Sequence, residues 1–133
     1  MIGNMKKLVF ILTALLLTAC SAPKVQTFEK YFTDAGITEV DELIIQDGST
    51  GYTKTTDDPQ HIDAFLSELN PIEVIPDDNQ EARNGWRYGI TLVQGEKRYL
   101  FTLNSIEDMY YHTEPDLHPF VDVFYNNLDV EEK

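Results

Sequence analysis

Residues 86 to 104 constrain the fold most. Trp86-Arg87-Tyr88-Gly89-Ile90-Thr91-Leu92-Val93 alternates large apolar side chains with others, so Trp86, Tyr88, Ile90 and Leu92 share one face of an extended strand. Gln94-Gly95-Glu96 turns the chain, and Lys97 to Asn104 (KRYLFTLN) returns as a second strand. Strands joined by so short a turn pair antiparallel, because a parallel pair needs a crossover of a dozen residues or more. One face of this hairpin is apolar and must be covered.

The neighbouring segments supply the cover and the rest of the sheet. Val40-Asp41-Glu42-Leu43-Ile44-Ile45 reads as a strand, Gln46-Asp47-Gly48-Ser49 as a hairpin turn, and Thr50 to Thr56 as the returning strand. Asp57 or Asp58 is suited to cap a helix, with Pro59 in its first turn, where the missing N–H costs nothing. Ile62, Phe65, Leu66 and Leu69 then fall on one helical stripe, which Asn70-Pro71 ends. Ile72 to Ile75 is a short strand, residues 76–85 a polar loop, and Met109 to His112 a last strand. Leu117, Phe120, Val121, Phe124 and Leu128 follow at helical spacing, and Val130 to Lys133 form a charged tail. The order predicted is ββ-α-ββββ-α. It describes an α+β fold in which an antiparallel sheet carries two helices packed on one face.

A chain of 133 residues accommodates one domain. Its 10 basic against 23 acidic residues disfavour nucleic-acid binding, which needs cations to displace phosphate counterions. One cysteine leaves no internal disulfide framework and no multi-cysteine metal cluster.

The first twenty residues have a different character. Lys6 and Lys7 precede an unbroken apolar run from Leu8 to Leu17, a basic n-region and an h-region of secretory length, too short to span a bilayer. Leu17-Thr18-Ala19-Cys20 follows directly and resembles the lipobox of bacterial lipoproteins. The resemblance implies that signal peptidase recognises Leu17, Thr18 and Ala19, that the signal peptide (residues 1–19) is removed, and that Cys20 is lipidated. Met5-Lys6-Lys7 is a more usual start for such a segment than Met1. Residues 20–37 would be the lipidated cysteine and a tether reaching roughly 20 Å. Phe28, Tyr31 and Phe32 either begin a short helix there or pack back on the domain, and the globular part would occupy residues 38–130. Two or more acyl chains give stable attachment, so the expected location is the extracytoplasmic face of the cell membrane. Loss of Lys6 and Lys7 with the signal peptide deepens the formal charge from −13 by two. That predicts attraction to a basic protein or peptide, or to a cation, although a solvated acidic surface is the commoner meaning of such an excess.

Candidate sites are sparse. Trp86, Tyr88, Tyr99 and Phe101, with Tyr110 and Tyr111 nearby, form a candidate binding surface on the sheet, although alternate residues of central strands more often form the layer beneath the helices. Asp77 and Asp78 are metal candidates, without the alternating ligands of an EF-hand loop. His112, Glu114, Asp116 and His118 could join as a metal cluster or lie separately on the surface, their spacing being unlike a helical zinc motif. There is no G-x-S-x-G, no H-E-x-x-H and no glycine-rich phosphate loop, so no catalytic residues and no cofactor are expected.

The segments IIQDGSTG (44–51), TDDPxxI (56–62) and GWRYGI (85–90) are also similar to modules in small lipoproteins of Gram-positive bacteria. That resemblance implies an envelope location and a ββαβββ-type domain, and carries over no active-site residues. The expected function is a non-enzymatic binding module for an envelope or secreted protein, in its sharper form an inhibitor of a basic enzyme or peptide. The alternative is a cation or small-ligand binder using acidic loops.

Overall fold

The computed structural model describes residues 23–133. Within them the order is β1 (Gln26–Thr27), α1 (Phe28–Asp34), β2 (Glu42–Asp47), β3 (Thr53–Thr56), α2 (Pro59–Leu69), β4 (Glu73–Pro76), β5 (Tyr88–Gln94), β6 (Lys97–Thr102), β7 (Ser105–Ile106), β8 (Met109–His112) and α3 (His118–Asn127). The signal-peptide residues and Cys20 lie outside the described residues.

The fold is α+β, with two antiparallel sheets and three helices where the sequence suggests one sheet and two helices. The larger sheet has the order β3-β2-β5-β6 and the smaller the order β1-β4-β8-β7. The predicted 86–104 hairpin forms with Ile90 opposite Phe101 and Leu92 opposite Tyr99. Leu43 and Ile45 of β2 continue the same rows, opposite Leu92 and Ile90. These side chains are buried and form the floor of the core.

The folded unit begins at Gln26, not near Thr38. β1 pairs with β4, and Thr27 caps α1 by accepting a hydrogen bond from the Lys30 amide at 3.2 Å. Phe28 and Phe32 are both buried, with Phe28 ring-to-ring against Phe101 of the larger sheet (5.4 Å) and Tyr111 of the smaller (5.7 Å). The segment expected to be a tether is therefore part of the core, holding the two sheets together.

The two helices read from the sequence form within two or three residues of their predicted bounds. Asp58 caps α2, accepting from the Gln60 amide at 2.9 Å, and Ile62, Phe65 and Leu69 are buried. On α3 the buried residues are Val121 and Tyr125. Among the described residues no helix is long and apolar enough to cross a membrane.

Candidate functional site

The aromatic strip divides on folding. Tyr88, Tyr99, Phe101 and Tyr111 are buried, so they are core and cannot present a platform to a ligand. Tyr111 donates to the Thr102 carbonyl at 2.6 Å, and Tyr99 to Glu107 at 2.6 Å, which satisfies both hydroxyls inside the fold. Trp86 precedes the strand and remains 39% exposed, with its six-membered ring over Gly89. Tyr110 is closed off by its own neighbours. Its hydroxyl accepts from the Arg83 amide at 2.8 Å, and the Arg83 guanidinium lies 4.3 Å above its ring. Trp86 and Tyr110 do not combine with those four into one surface.

Asp77 is already engaged: Arg83 donates to it at 3.0 Å and the His112 ring sits 2.6 Å from it. Partial burial pushes its pKa upward, but the hydrogen bonds from His112 and Arg83 outweigh that and hold it below the usual carboxylate range. Asp78 is exposed. His112 and His118 do not converge, because His118 packs against the Tyr88 ring, 5.9 Å between centroids. Asp116 accepts from the His118 amide at 3.0 Å and so serves the start of α3. Among the described residues no three His, Cys, Asp or Glu side chains are placed to share a metal ion.

A site of another kind lies between α2 and α3. Phe65 of α2 stacks on Phe120 (centroids 5.5 Å apart, 25° between planes) and meets Phe124 at 4.9 Å. Above this aromatic floor opens an apolar groove of about 560 Å³, bounded by His61, Pro119, Val123, Asn127 and Leu128. Val123 is 58% exposed, and Phe120 and Phe124 are only half-buried. The volume falls within the ~300–1,000 Å³ typical of ligand sites.

The groove's shape is set by what pins α3. Lys54 on β3 donates to the Tyr125 and Leu128 carbonyls at 2.8 and 3.0 Å, satisfying acceptors that the end of a helix leaves unpaired. Its ammonium also lies 4.8 Å from the Tyr125 ring centre. Midway along α3, Asp122 accepts from Tyr88 at 2.6 Å, with Arg87 at 3.5 Å. The Tyr88 bond holds the Asp122 carboxyl low, while burial and that same bond push the Tyr88 phenol up to about 12. On the opposite wall His61 Nδ1 is 2.8 Å from the Thr56 hydroxyl, which fixes the ring beside the groove.

Charge on the two helices is one-sided. Neither α2 nor α3 contains a lysine or arginine. Asp57, Asp58, Asp63 and Glu68 lie on or before α2, and Asp129 follows Leu128. The sequence held one signal for this groove. Phe120, Val121, Val123, Phe124 and Tyr125 are more apolar residues than one buried stripe can hold, and Val123 falls off the stripe.

No family model matches the chain, and neither a curated protein nor a solved structure matches it.

Proposed function

We propose that this chain is a lipid-anchored extracytoplasmic domain that binds an envelope or secreted protein without chemistry of its own, docking it in the groove between α2 and α3. The observation that carries the reading is the groove itself. An aromatic floor left open to solvent, bordered by an exposed valine, is unfavourable in water and becomes favourable when a partner covers it. The lipobox-like Leu17-Thr18-Ala19-Cys20 supports the anchor. With β1 beginning at Gln26, the connection from Cys20 is short, at most about 20 Å when fully extended, which keeps the domain close to the bilayer. The alternative of cation binding through acidic loops has less support, since Asp77 is occupied by Arg83 and His112.

A photo-crosslinking residue at position 123 of the lipidated protein, irradiated in its own cells, tests the docking reading. A discrete crosslinked species from position 123, absent when the crosslinker is moved to exposed Asp108, is expected. No species above that control would remove the groove as a docking site. Loss of membrane retention in Cys20→Ser tests the anchor separately.

A further inference from the structure

We infer that the groove receives a cationic amphipathic helix: a partner segment with aliphatic or aromatic side chains on one face and lysines or arginines flanking it. This deepens the docking reading above, and rests on it, by stating the chemistry of the occupant.

Two features of the groove select that chemistry. The floor is apolar and aromatic, made by Phe120 and Phe124 and backed from beneath by the buried Phe65 ring. The helices that wall it carry acids and no lysine or arginine. Lys54, which reaches α3 from β3, is consumed by the α3 carbonyls. Arg87 is spent likewise on Asp47 and Asp122, on the sheet side of α3. Asp58 lies 3.9 Å from His61 in the groove wall, and Asp129 follows Leu128, so an occupant meets apolar surface with acids beside two of its lining residues, the pattern complementary to a basic amphipathic helix.

The length agrees. α3 has ten residues, about 15 Å at 1.5 Å per residue. Anchors at i, i+4 and i+7 on a docked helix span roughly 10 Å, so two turns of partner fill the groove.

Other occupants fit less well. A small apolar molecule would stay half in water beside a valine that is 58% exposed, whereas bound drug-sized ligands usually bury about 70–90% of their surface. A second copy carries the same acids on the same helices, and an anionic bilayer repels the acidic rim.

The test uses the full lipidated chain in zwitterionic nanodiscs, with empty discs as reference. The probes are about 18-residue helical peptides sharing one leucine spacing, their polar positions filled by Lys, Gln or Glu, and a fourth in which Ser replaces Leu in the Lys peptide. The Leu/Lys peptide is expected to bind at least tenfold more tightly than the other three, and to weaken several-fold as salt rises from 50 to 300 mM. Val123→Asp is expected to reduce its affinity at least tenfold. The position is exposed enough for the fold to persist, checked by circular dichroism. The substitution adds negative charge, so an association driven by charge alone would strengthen instead. Asp58→Asn, which retains a capping side chain, combined with Asp129→Asn should weaken the Leu/Lys peptide and leave the Leu/Gln peptide unchanged.

Equal binding of Leu/Gln and Leu/Lys peptides, both sensitive to Val123→Asp, would overturn the cationic assignment while leaving the docking reading intact. Tight binding of the Ser/Lys peptide, or indifference to Val123→Asp, would overturn the assignment outright. Insertion into phosphatidylglycerol vesicles that depends on Val123 would identify a lipid surface as the occupant instead, and would also overturn it. The docking reading itself falls only if the crosslink from position 123 is blank as well.

Discussion

Three carboxylates at turns and helix contacts are held below their ordinary range: Asp47, Asp77 and Asp122. Asp47 accepts from the Ser49 amide and hydroxyl at 2.8 and 2.7 Å, which, with Arg87, overcomes the upward push of its burial. A carboxylate with a depressed folded pKa stabilises the fold above its unfolded value of about 3.9, and that contribution is lost as pH falls through the folded pKa. The melting temperature should therefore be flat near neutrality and fall steeply below about pH 4. Asp77→Asn should lower it at pH 7, by about 1 kcal/mol equivalent for the lost charged hydrogen bonds, and should flatten the acid limb. Thermal melts across pH 2 to 8 check this; parallel curves for the two proteins would contradict it. At the alkaline end, burial pushes the Tyr111 phenol up, as it does for Tyr99 and Tyr125, where acidic partners add to it. A phenol whose folded pKa is raised stabilises the fold below about pH 10, the unfolded value, and that stability disappears as pH rises through the folded pKa. Of the seven tyrosines, these and Tyr88 should stay protonated until the chain unfolds, so absorbance at 295 nm should rise in two stages, the second coinciding with loss of secondary structure. A single smooth titration would show that the hydroxyls are not enclosed.

α1 shows why part of the fold was legible in the sequence and part was not. β5, β6, α2 and α3 carry apolar side chains over enough residues for a period of 2 or 3.6 to show. Seven residues of α1 contain less than two full turns, and β1 and β7 have two residues each, too short for any period. What fixes them is tertiary: Phe28 and Phe32 are drawn into rings from both sheets. The division into two sheets was hidden for the same reason, since it depends on those short end strands. The candidate site failed differently. Alternation places Tyr88, Tyr99 and Phe101 on one face and leaves open whether helices cover it, while Val123, off the buried stripe of α3, is a single residue and too little to reveal a groove. Phe28→Ala should cost about 3–5 kcal/mol through lost burial and the cavity left between the sheets. A tether residue would cost nothing measurable, so the urea midpoint decides between the two roles. At the entry to β5, Gly89 lies beneath the Trp86 ring, where an added Cβ would come within 3.3–3.4 Å of it, and the chain has no other tryptophan. Gly89→Val should displace that ring, shift its fluorescence to the red and change stability modestly, by about 1 kcal/mol. Unchanged emission would mean that the indole does not rest there.

Over the whole molecule, the excess of acids works against compactness and for recognition. With 23 acidic and 10 basic residues, two of the basic ones being Lys6 and Lys7 before the described domain, like charges repel across the folded surface. Some of that charge is neutralised locally, as at Arg83–Asp77 and Arg87–Asp122. α2 and α3 carry no lysine or arginine of their own, and among the described residues the only basic side chain that reaches one of their acids from outside is Arg87, at Asp122. Exposed ion pairs contribute little individually, about 0–1 kcal/mol, and salt weakens them, whereas the net repulsion between unpaired acids is larger in number and is screened as well. The second effect should win, because most of the acids have no basic neighbour. The melting temperature should rise as sodium chloride goes from 10 to 300 mM, most steeply at the low end, where the screening length shrinks from roughly 30 Å to below 8 Å. The opposite salt response is expected of the Leu/Lys peptide, whose affinity should fall over the same range. Stability that rises while peptide affinity falls with salt shows that unpaired acids repel one another within the fold and attract the cationic peptide. If instead stability falls with salt, the ion pairs hold the fold against the net charge, and the acidic rim is not a site of stored repulsion that a cationic partner would relieve.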